Sequence, residues 1–97
     1  NEALQGLVDF YVHPNGKTGV LLDIRCQTDF VAKSPEFKTL AHEICLQIVA
    51  LNPESVEALI AQPWMKVDTK TIKNLMEETT AKVGENIEVK RFVRYEI

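Results

Sequence analysis

The sequence predicts an α+β fold in which helices pack on one face of a small three-stranded antiparallel sheet. Three features lead to this prediction: two apolar, β-branched stretches separated by a turn, helical patterns in the middle of the chain, and a final alternating stretch. The last stretch can pair with the first two in one sheet, and the helices between them then cover one of its faces. At 97 residues, the chain has the size of one domain with a single modest core, which we expect to occupy residues 1–97.

Two strands joined by a turn are predicted near the start of the chain, over residues 6–12 and 19–26. Residues 13–17 separate them and contain Asn-Gly, a strong turn pair. One face of the second strand is apolar, through Val20, Leu22, Ile24 and Cys26. Because Asp23 and Arg25 alternate with these residues, we expect one face of the hairpin to meet the core and the other to meet water.

A long amphipathic helix is predicted next. Ser34 can cap it, and Pro35 is tolerated at the first helical position, where its missing N–H costs no hydrogen bond. The apolar residues recur every three or four positions and form one stripe, made of Phe37, Leu40, Ala41, Ile44, Ile48 and Leu51. Asn52 and Pro53 end this helix, and a short second helix is predicted at residues 53–61.

A third helix and a final strand complete the predicted fold. The helix runs from about Lys70 to Val83, with Gly84 as its left-handed end. Its inward-facing residues are predicted to be Ile72, Leu75, Met76, Thr79 and Val83. The strand follows over residues 86–97, and its odd-numbered positions form a mainly apolar face.

Some apolar residues do not fit the core face of this sheet. By alternation, Leu7, Tyr11 and Leu21 are predicted on the pleat opposite the core stripe. Phe92 is predicted on the charged face of the last strand. Two interpretations stay open with equal weight: both sheet faces meet something, as in an oligomer, or these are scattered surface residues.

Composition and charge exclude several classes of function. The net charge is −3 and the 11 lysines and arginines are scattered, which argues against a nucleic-acid groove. The apolar runs are only a few residues long, too short for a membrane span, and no signal-peptide pattern opens the chain. Two cysteines fit a reducing compartment better than a disulfide framework. The expected binding target is therefore a protein or a small ligand.

Sequence motifs give little support for an enzyme. No GxSxG, P-loop, GxGxxG or HExxH sequence is present. His42 and Cys45 share one side of the long helix, but two ligands are too few for a zinc site. A bridge between Cys26 and Cys45 stays open as the less favoured state of these residues. We therefore expect no catalytic residues, no metal and no cofactor.

The candidate binding residues lie between the second strand and the long helix, and they are Thr28, Asp29, Phe30 and Val31. Thr28 can cap a single turn that begins at Asp29, and this turn would hold Phe30 rigidly in a loop. Rigid exposed aromatic side chains are typical of binding hot spots. Large apolar side chains are more often buried, however, so the residues alone favour a core position for Phe30.

Two segments resemble the core, or dimerisation, domain of the translation elongation factor Ts family: GVLLDIRCQTDFVAKSPEFKTLAHEICLQIVA and KVGENIEVKRFVRYEI, together about half of the chain. The resemblance implies a nucleotide-exchange factor, not an enzyme, that binds elongation factor Tu in its GDP-bound and nucleotide-free forms. It implies that residues 28–31 enter the GTPase domain of that partner, with Asp29 and Phe30 as the intruding pair. Phe30 would wedge between helices near the magnesium and phosphate site, so that magnesium coordination is disturbed and GDP leaves.

The resemblance also implies how the chain is organised and where it acts. The chain is similar to short, single-copy forms that pair as homodimers, and we expect it to lack the N-terminal helical domain of full-length members. The expected location is the bacterial cytoplasm, or the matrix or stroma of an organelle of bacterial descent. The alternative function is a dimerisation and interaction module that binds elongation factor Tu without efficient exchange.

Overall fold

The computed structural model describes residues 2–97 and has the predicted α+β architecture. In chain order the elements are β1 Gln5–Val12, β2 Thr18–Cys26, α1 Asp29–Ala32, α2 Pro35–Leu51, α3 Val56–Ala61, β3 Pro63–Trp64, β4 Val67–Thr71, α4 Ile72–Val83 and β5 Glu88–Glu96. The main sheet is three-stranded and antiparallel with helices packed on one of its faces, as predicted, and its strand order is β1-β2-β5.

The core lies between this sheet and helix α2. The predicted stripe of β2 is buried, and so are five of the six predicted residues of α2. Leu51 is the exception: it is the last residue of α2 and is 45% exposed. Ser34 caps α2 as predicted, since its Oγ accepts a hydrogen bond from the backbone N–H of Phe37 at 3.3 Å.

The register of the β1–β2 hairpin corrects two predicted orientations. Leu7 lies opposite Ile24, and Tyr11 lies opposite Val20. Residues directly opposite each other on paired strands point to the same side of a sheet, so Leu7 and Tyr11 face the core. Their predicted place on the outer pleat is wrong, because the register of pairing decides the facing of a strand and alternation alone does not reveal it. Leu21 does lie on the outer pleat and is 50% exposed.

A β-bulge in β5 corrects the predicted face of the last strand. Ile24 of β2 pairs with Val89, whereas the preceding Asp23 pairs with Arg91, which leaves one extra β5 residue between the two pairs. Such an extra residue moves the following side chains to the other face. Val89, before the extra residue, is buried, and Phe92, after it, also packs against the core instead of lying on a charged outer face.

A small two-stranded sheet, β3 with β4, occupies the connection that precedes α4, where we predicted no strand. It is tied to α2 by Gln47, which is fully buried. The Gln47 amide donates to the carbonyl of Pro63 at 3.0 Å and accepts from the N–H of Met65 at 3.0 Å. A buried amide needs such partners. A glutamine on the inner side of a helix therefore indicates a polar backbone segment packed against it, and the prediction missed this segment.

Helix α4 begins two residues later than predicted and ends where predicted. Thr71 and Asn74 form a capping box, in which each side chain accepts a hydrogen bond from the backbone of the other. Gly84 ends the helix in the left-handed conformation, with φ 75°. Among residues 2–97, no helix combines the length and the apolar character that a membrane span requires.

Candidate functional site

Residues 28–31 form the start of a one-turn helix, α1, between β2 and α2. Thr28 has the extended backbone of a cap, with φ −126° and ψ 153°, and its Oγ1 accepts a hydrogen bond from the N–H of Val31 at 3.2 Å. The prediction that Thr28 caps a turn beginning at Asp29 is confirmed. The turn is therefore a defined structure and not an open loop.

The side chains of this turn point in different directions. Val31 and Ala32 are buried, with 5% and 4% exposure, while Phe30 is 85% exposed. Successive residues of a helix are about 100° apart, so a turn that buries Val31 and Ala32 has to turn Phe30 away from the core. The core position that the residues alone favoured for Phe30 is wrong. Asp29 is also exposed, and its carboxylate pairs with Lys33 Nζ at 2.9 Å.

The C-terminal end of the turn is joined directly to α2. Ser34 Oγ donates a hydrogen bond to the carbonyl of Val31 at 2.7 Å, in addition to capping α2. Because the same hydroxyl contacts both helices, the orientation of α1 depends on the rigid 17-residue helix that follows. The exposed position of Phe30 is thus set from the C-terminal side.

The N-terminal end of the turn is held by Glu85, immediately after α4. Glu85 Oε1 accepts hydrogen bonds from the N–H groups of Gln27 at 3.0 Å and Thr28 at 2.9 Å, and its Oε2 accepts one from Thr28 Oγ1 at 2.7 Å. The N–H of Asn86 donates to Gln27 Oε1 at 2.8 Å. The hydrogen bond from the Thr28 hydroxyl holds the pKa of Glu85 below its usual range.

The remaining reactive side chains lie away from this turn or are buried. Cys26 and Cys45 are both buried free thiols, and burial raises the pKa of Cys45 to about 12. The ring of His42 packs edge-on against Tyr11, with their centroids 6.2 Å apart. No group of three metal-ligating side chains occurs within residues 2–97.

A second exposed surface lies on the side of the main sheet opposite the helices, and we call it the outer face. Its residues form three cross-strand rows: Val8–Asp23–Arg91, Phe10–Leu21–Val93 and Val12–Gly19–Tyr95. Five of the six large apolar residues in these rows, all except Val93, are at least 50% exposed. An apolar patch that crosses three strands is typical of an interface with another protein.

The charged row of the outer face is an ion cluster around Asp23. Arg25 Nε lies 2.6 Å from Asp23 Oδ1, and Arg91 Nε lies 3.1 Å from Oδ2. The hydrogen bond from Arg25 and, after it, the one from Arg91 hold the pKa of Asp23 below its usual range, against the opposing effect of burial. A carboxylate whose pKa is depressed in the folded state stabilises the fold above its unfolded pKa.

Replacing Asp23 with asparagine is expected to lower the free energy of unfolding at neutral pH, because both arginines lose their carboxylate partner. The difference between the parent and Asp23→Asn should shrink as the pH falls below roughly 4, where the parent carboxyl also becomes protonated. Urea denaturation at a series of pH values and one protein concentration measures this difference. If the difference in the free energy of unfolding between the parent and Asp23→Asn stayed constant well below roughly pH 4, the ion cluster would contribute no pH-dependent stability.

Comparison with a family profile and with individual proteins points to the same family. Residues 27–97 match the sequence profile described as "Elongation factor TS". A protein named "Elongation factor Ts" from Nostoc sp. is 45% identical over 93 residues, covering 96% of this chain. Proteins of the same name from Coprothermobacter proteolyticus and Thermoanaerobacter sp. are 36% and 34% identical over 138 and 139 residues, covering 96% and 97% of this chain.

The relatives differ from this chain in length. The chain spans 29% of the Nostoc protein, 70% of the Coprothermobacter protein and 68% of the Thermoanaerobacter protein. The same 96% of this chain aligns over 93 positions with the Nostoc protein and over 138 with the Coprothermobacter protein, a difference of 45 positions. The Coprothermobacter alignment thus includes segments that this chain does not contain.

Proposed function

This chain belongs to the elongation factor Ts family, and on that premise we propose that it is a nucleotide-exchange domain that binds elongation factor Tu and promotes release of GDP. The observation that carries the proposal is the position of Phe30, a large apolar side chain that is 85% exposed on a turn held at both ends. An exposed aromatic residue on a rigid turn is suited to enter a pocket of a partner. The reaction breaks no covalent bond, and it would take place in a bacterial cytoplasm or in an organelle of bacterial descent.

In the proposed mechanism, residues 28–31 form the exchange motif. Phe30 enters an apolar crevice between helices of elongation factor Tu, near its magnesium and phosphate site. The neighbouring Asp29 brings a negative charge close to that site. The partner conformation that accepts Phe30 holds magnesium and GDP less well. Binding and release are then linked: a factor that prefers the nucleotide-free partner weakens nucleotide binding by that same preference.

The size of the effect depends on how well Phe30 is oriented before binding. Full burial of one phenylalanine contributes about 1.5 to 3 kcal/mol. Ordering a flexible loop on binding would consume part of this energy. Because the turn is capped by Thr28 and joined to α2 through Ser34, the free protein already holds Phe30 on a hydrogen-bonded turn, which reduces this cost.

The proposal is tested by mixing the chain with elongation factor Tu that carries fluorescent GDP, in the presence of excess unlabelled GDP. We expect the fluorescence to decay faster as the chain is added, up to a saturating rate. A second function, a dimerisation and interaction module that binds elongation factor Tu without efficient exchange, is favoured by the exposed apolar residues of the outer face. Complex formation in the ultracentrifuge without faster release would support that second function and contradict the first.

We also propose that two copies of the chain pair through the outer face. Strands of eight or nine residues, at about 3.3 Å per residue and about 4.8 Å apart, give this face a projected area of roughly 400 Å². Its protruding side chains expose more surface than this flat projection, and a standard interface buries about 800 Å² per partner. A two-fold axis near Leu21, at the centre of the middle row, would place apolar side chains against apolar side chains.

A further inference from the structure

We infer that Glu85 is a positioning residue for the exchange motif, acting through Thr28 on the direction of Phe30. This inference rests on the proposed function, because it assigns Glu85 a part in the exchange reaction. Glu85 follows α4, 57 positions after Thr28 in the chain, and its carboxylate accepts one hydrogen bond from Gln27, just before the motif, and two from Thr28, its first residue.

Two consecutive hydrogen bonds connect Glu85 to Val31, the residue that follows Phe30 in α1. Thr28 Oγ1 donates to Glu85 Oε2 at 2.7 Å and accepts from the N–H of Val31 at 3.2 Å. The proton of the hydroxyl is therefore directed at Glu85, and its lone pair is directed at the helix. A capping hydroxyl with a fixed donor direction holds the first turn of α1, including Phe30, in one orientation.

A short helix needs this support. Alone, a turn of four residues is unstable in water, because forming the first turn costs more conformational entropy than one hydrogen bond returns. Burial of Val31 and Ala32 fixes the inner side of α1. Glu85 fixes the N-terminal side, where the chain leaves β2, so the motif is held at three points together with Ser34.

Loss of Glu85 should loosen the motif without unfolding the domain. Thr28 is exposed and Gln27 is half-buried, so water can replace the carboxylate at their N–H groups. The core residues of β2 and α2 do not depend on this contact. The expected result is a domain of nearly unchanged stability in which Phe30 samples more than one direction.

The test compares Glu85→Ala with a control of equal charge change, Glu54→Ala. Glu54 is exposed beyond the C-terminal end of α2, a helix of 17 residues that begins next to the motif and is about 25 Å long. Release of fluorescent GDP from elongation factor Tu is measured at saturating concentrations of each variant. We expect Glu85→Ala to lower the maximal rate about tenfold, as small misplacements of a positioned group commonly do, and Glu54→Ala to leave it unchanged.

A double-mutant cycle with Phe30→Ala separates positioning from a general structural role. If Glu85 acts through Phe30, Glu85→Ala should lower the release rate in the parent but by less than about twofold when Phe30 is already alanine. The inference would be overturned if Glu85→Ala lowered the release rate by the same factor in the parent and in Phe30→Ala. It would also be overturned if Glu85→Ala left the release rate of the parent unchanged. Glu85→Gln keeps one acceptor oxygen and should recover part of the rate that Glu85→Ala loses.

A second measurement follows the motif without elongation factor Tu. Amide order parameters of residues 28–31 should fall from the rigid value of about 0.85 in the parent to below about 0.7 in Glu85→Ala. Unchanged order parameters would contradict the positioning role. If the parent does not speed the release of GDP at all, the proposed function fails as well; if the parent speeds release, Phe30→Ala is slow and Glu85→Ala matches the parent, the positioning role alone fails.

Discussion

Replacing Phe30 with alanine is expected to slow the release of GDP from elongation factor Tu by roughly ten- to hundredfold at equal concentrations of the parent and the variant. This range follows from the about 1.5 to 3 kcal/mol that burial of a phenylalanine contributes, with 1.4 kcal/mol for each power of ten. In the proposed mechanism this energy is gained only when Phe30 enters the partner, since the side chain is 85% exposed in the free domain. Stopped-flow fluorescence of labelled GDP measures the release rate.

The stability of the domain should not change with this substitution. Phe30 points away from the core, so its loss opens no cavity, and the melting temperature of Phe30→Ala should equal that of the parent. Met65→Ala provides a control, because Met65 is an exposed apolar residue, 41% accessible, in the turn between β3 and β4. If Phe30→Ala releases GDP as fast as the parent and Met65→Ala, the wedge assignment is wrong.

Replacing Leu21 with lysine is expected to convert a homodimer into monomers, with a weakening of association of a hundredfold or more. Leu21 lies at the centre of the outer face, between Phe10 and Val93. A two-fold interface doubles every substitution, so the dimer would have to bury two unpaired charges, each at a cost of several kcal/mol. In the monomer Leu21 is 50% exposed, so the lysine can remain in water and the fold should persist.

Sedimentation equilibrium over a range of concentrations measures this association. The parent should have twice the mass of one chain, and Leu21→Lys the mass of one chain. Phe30→Lys is the matched control, because it introduces the same charge at an exposed apolar residue outside the outer face and should remain a dimer. A parent that is monomeric throughout, or a Leu21→Lys variant that associates as tightly as the parent, would contradict pairing through the outer face.

The parts of the fold that could be predicted are those that depend on local patterns. Capping by Ser34, the apolar stripe of α2 and the left-handed end at Gly84 all follow from residues within one or two helical turns. The facing of Leu7 and Phe92 could not be predicted in this way. Each depends on strand register, and for Phe92 on a bulge that no residue type marks in the sequence.

The candidate site divides in the same way. The cap at Thr28 and the start of a turn at Asp29 are local and were predicted correctly. The direction of Phe30 depends on which neighbours are buried, and general burial preferences favoured the wrong side. Glu85 was missed because its hydrogen-bond partners lie 57 and 58 residues earlier in the chain. The one local signal is its position directly after Gly84, whose left-handed conformation fixes the direction in which the chain leaves α4.

The affinity of this chain for two forms of elongation factor Tu, GDP-bound and nucleotide-free, tests the proposed exchange function most directly. Isothermal titration of each form gives the two dissociation constants, and linkage requires their ratio to equal the weakening of GDP binding. We expect the nucleotide-free form to bind at least about tenfold more tightly, the lower bound set by burial of Phe30. Equal affinity for both forms would contradict an exchange function and leave only a binding module.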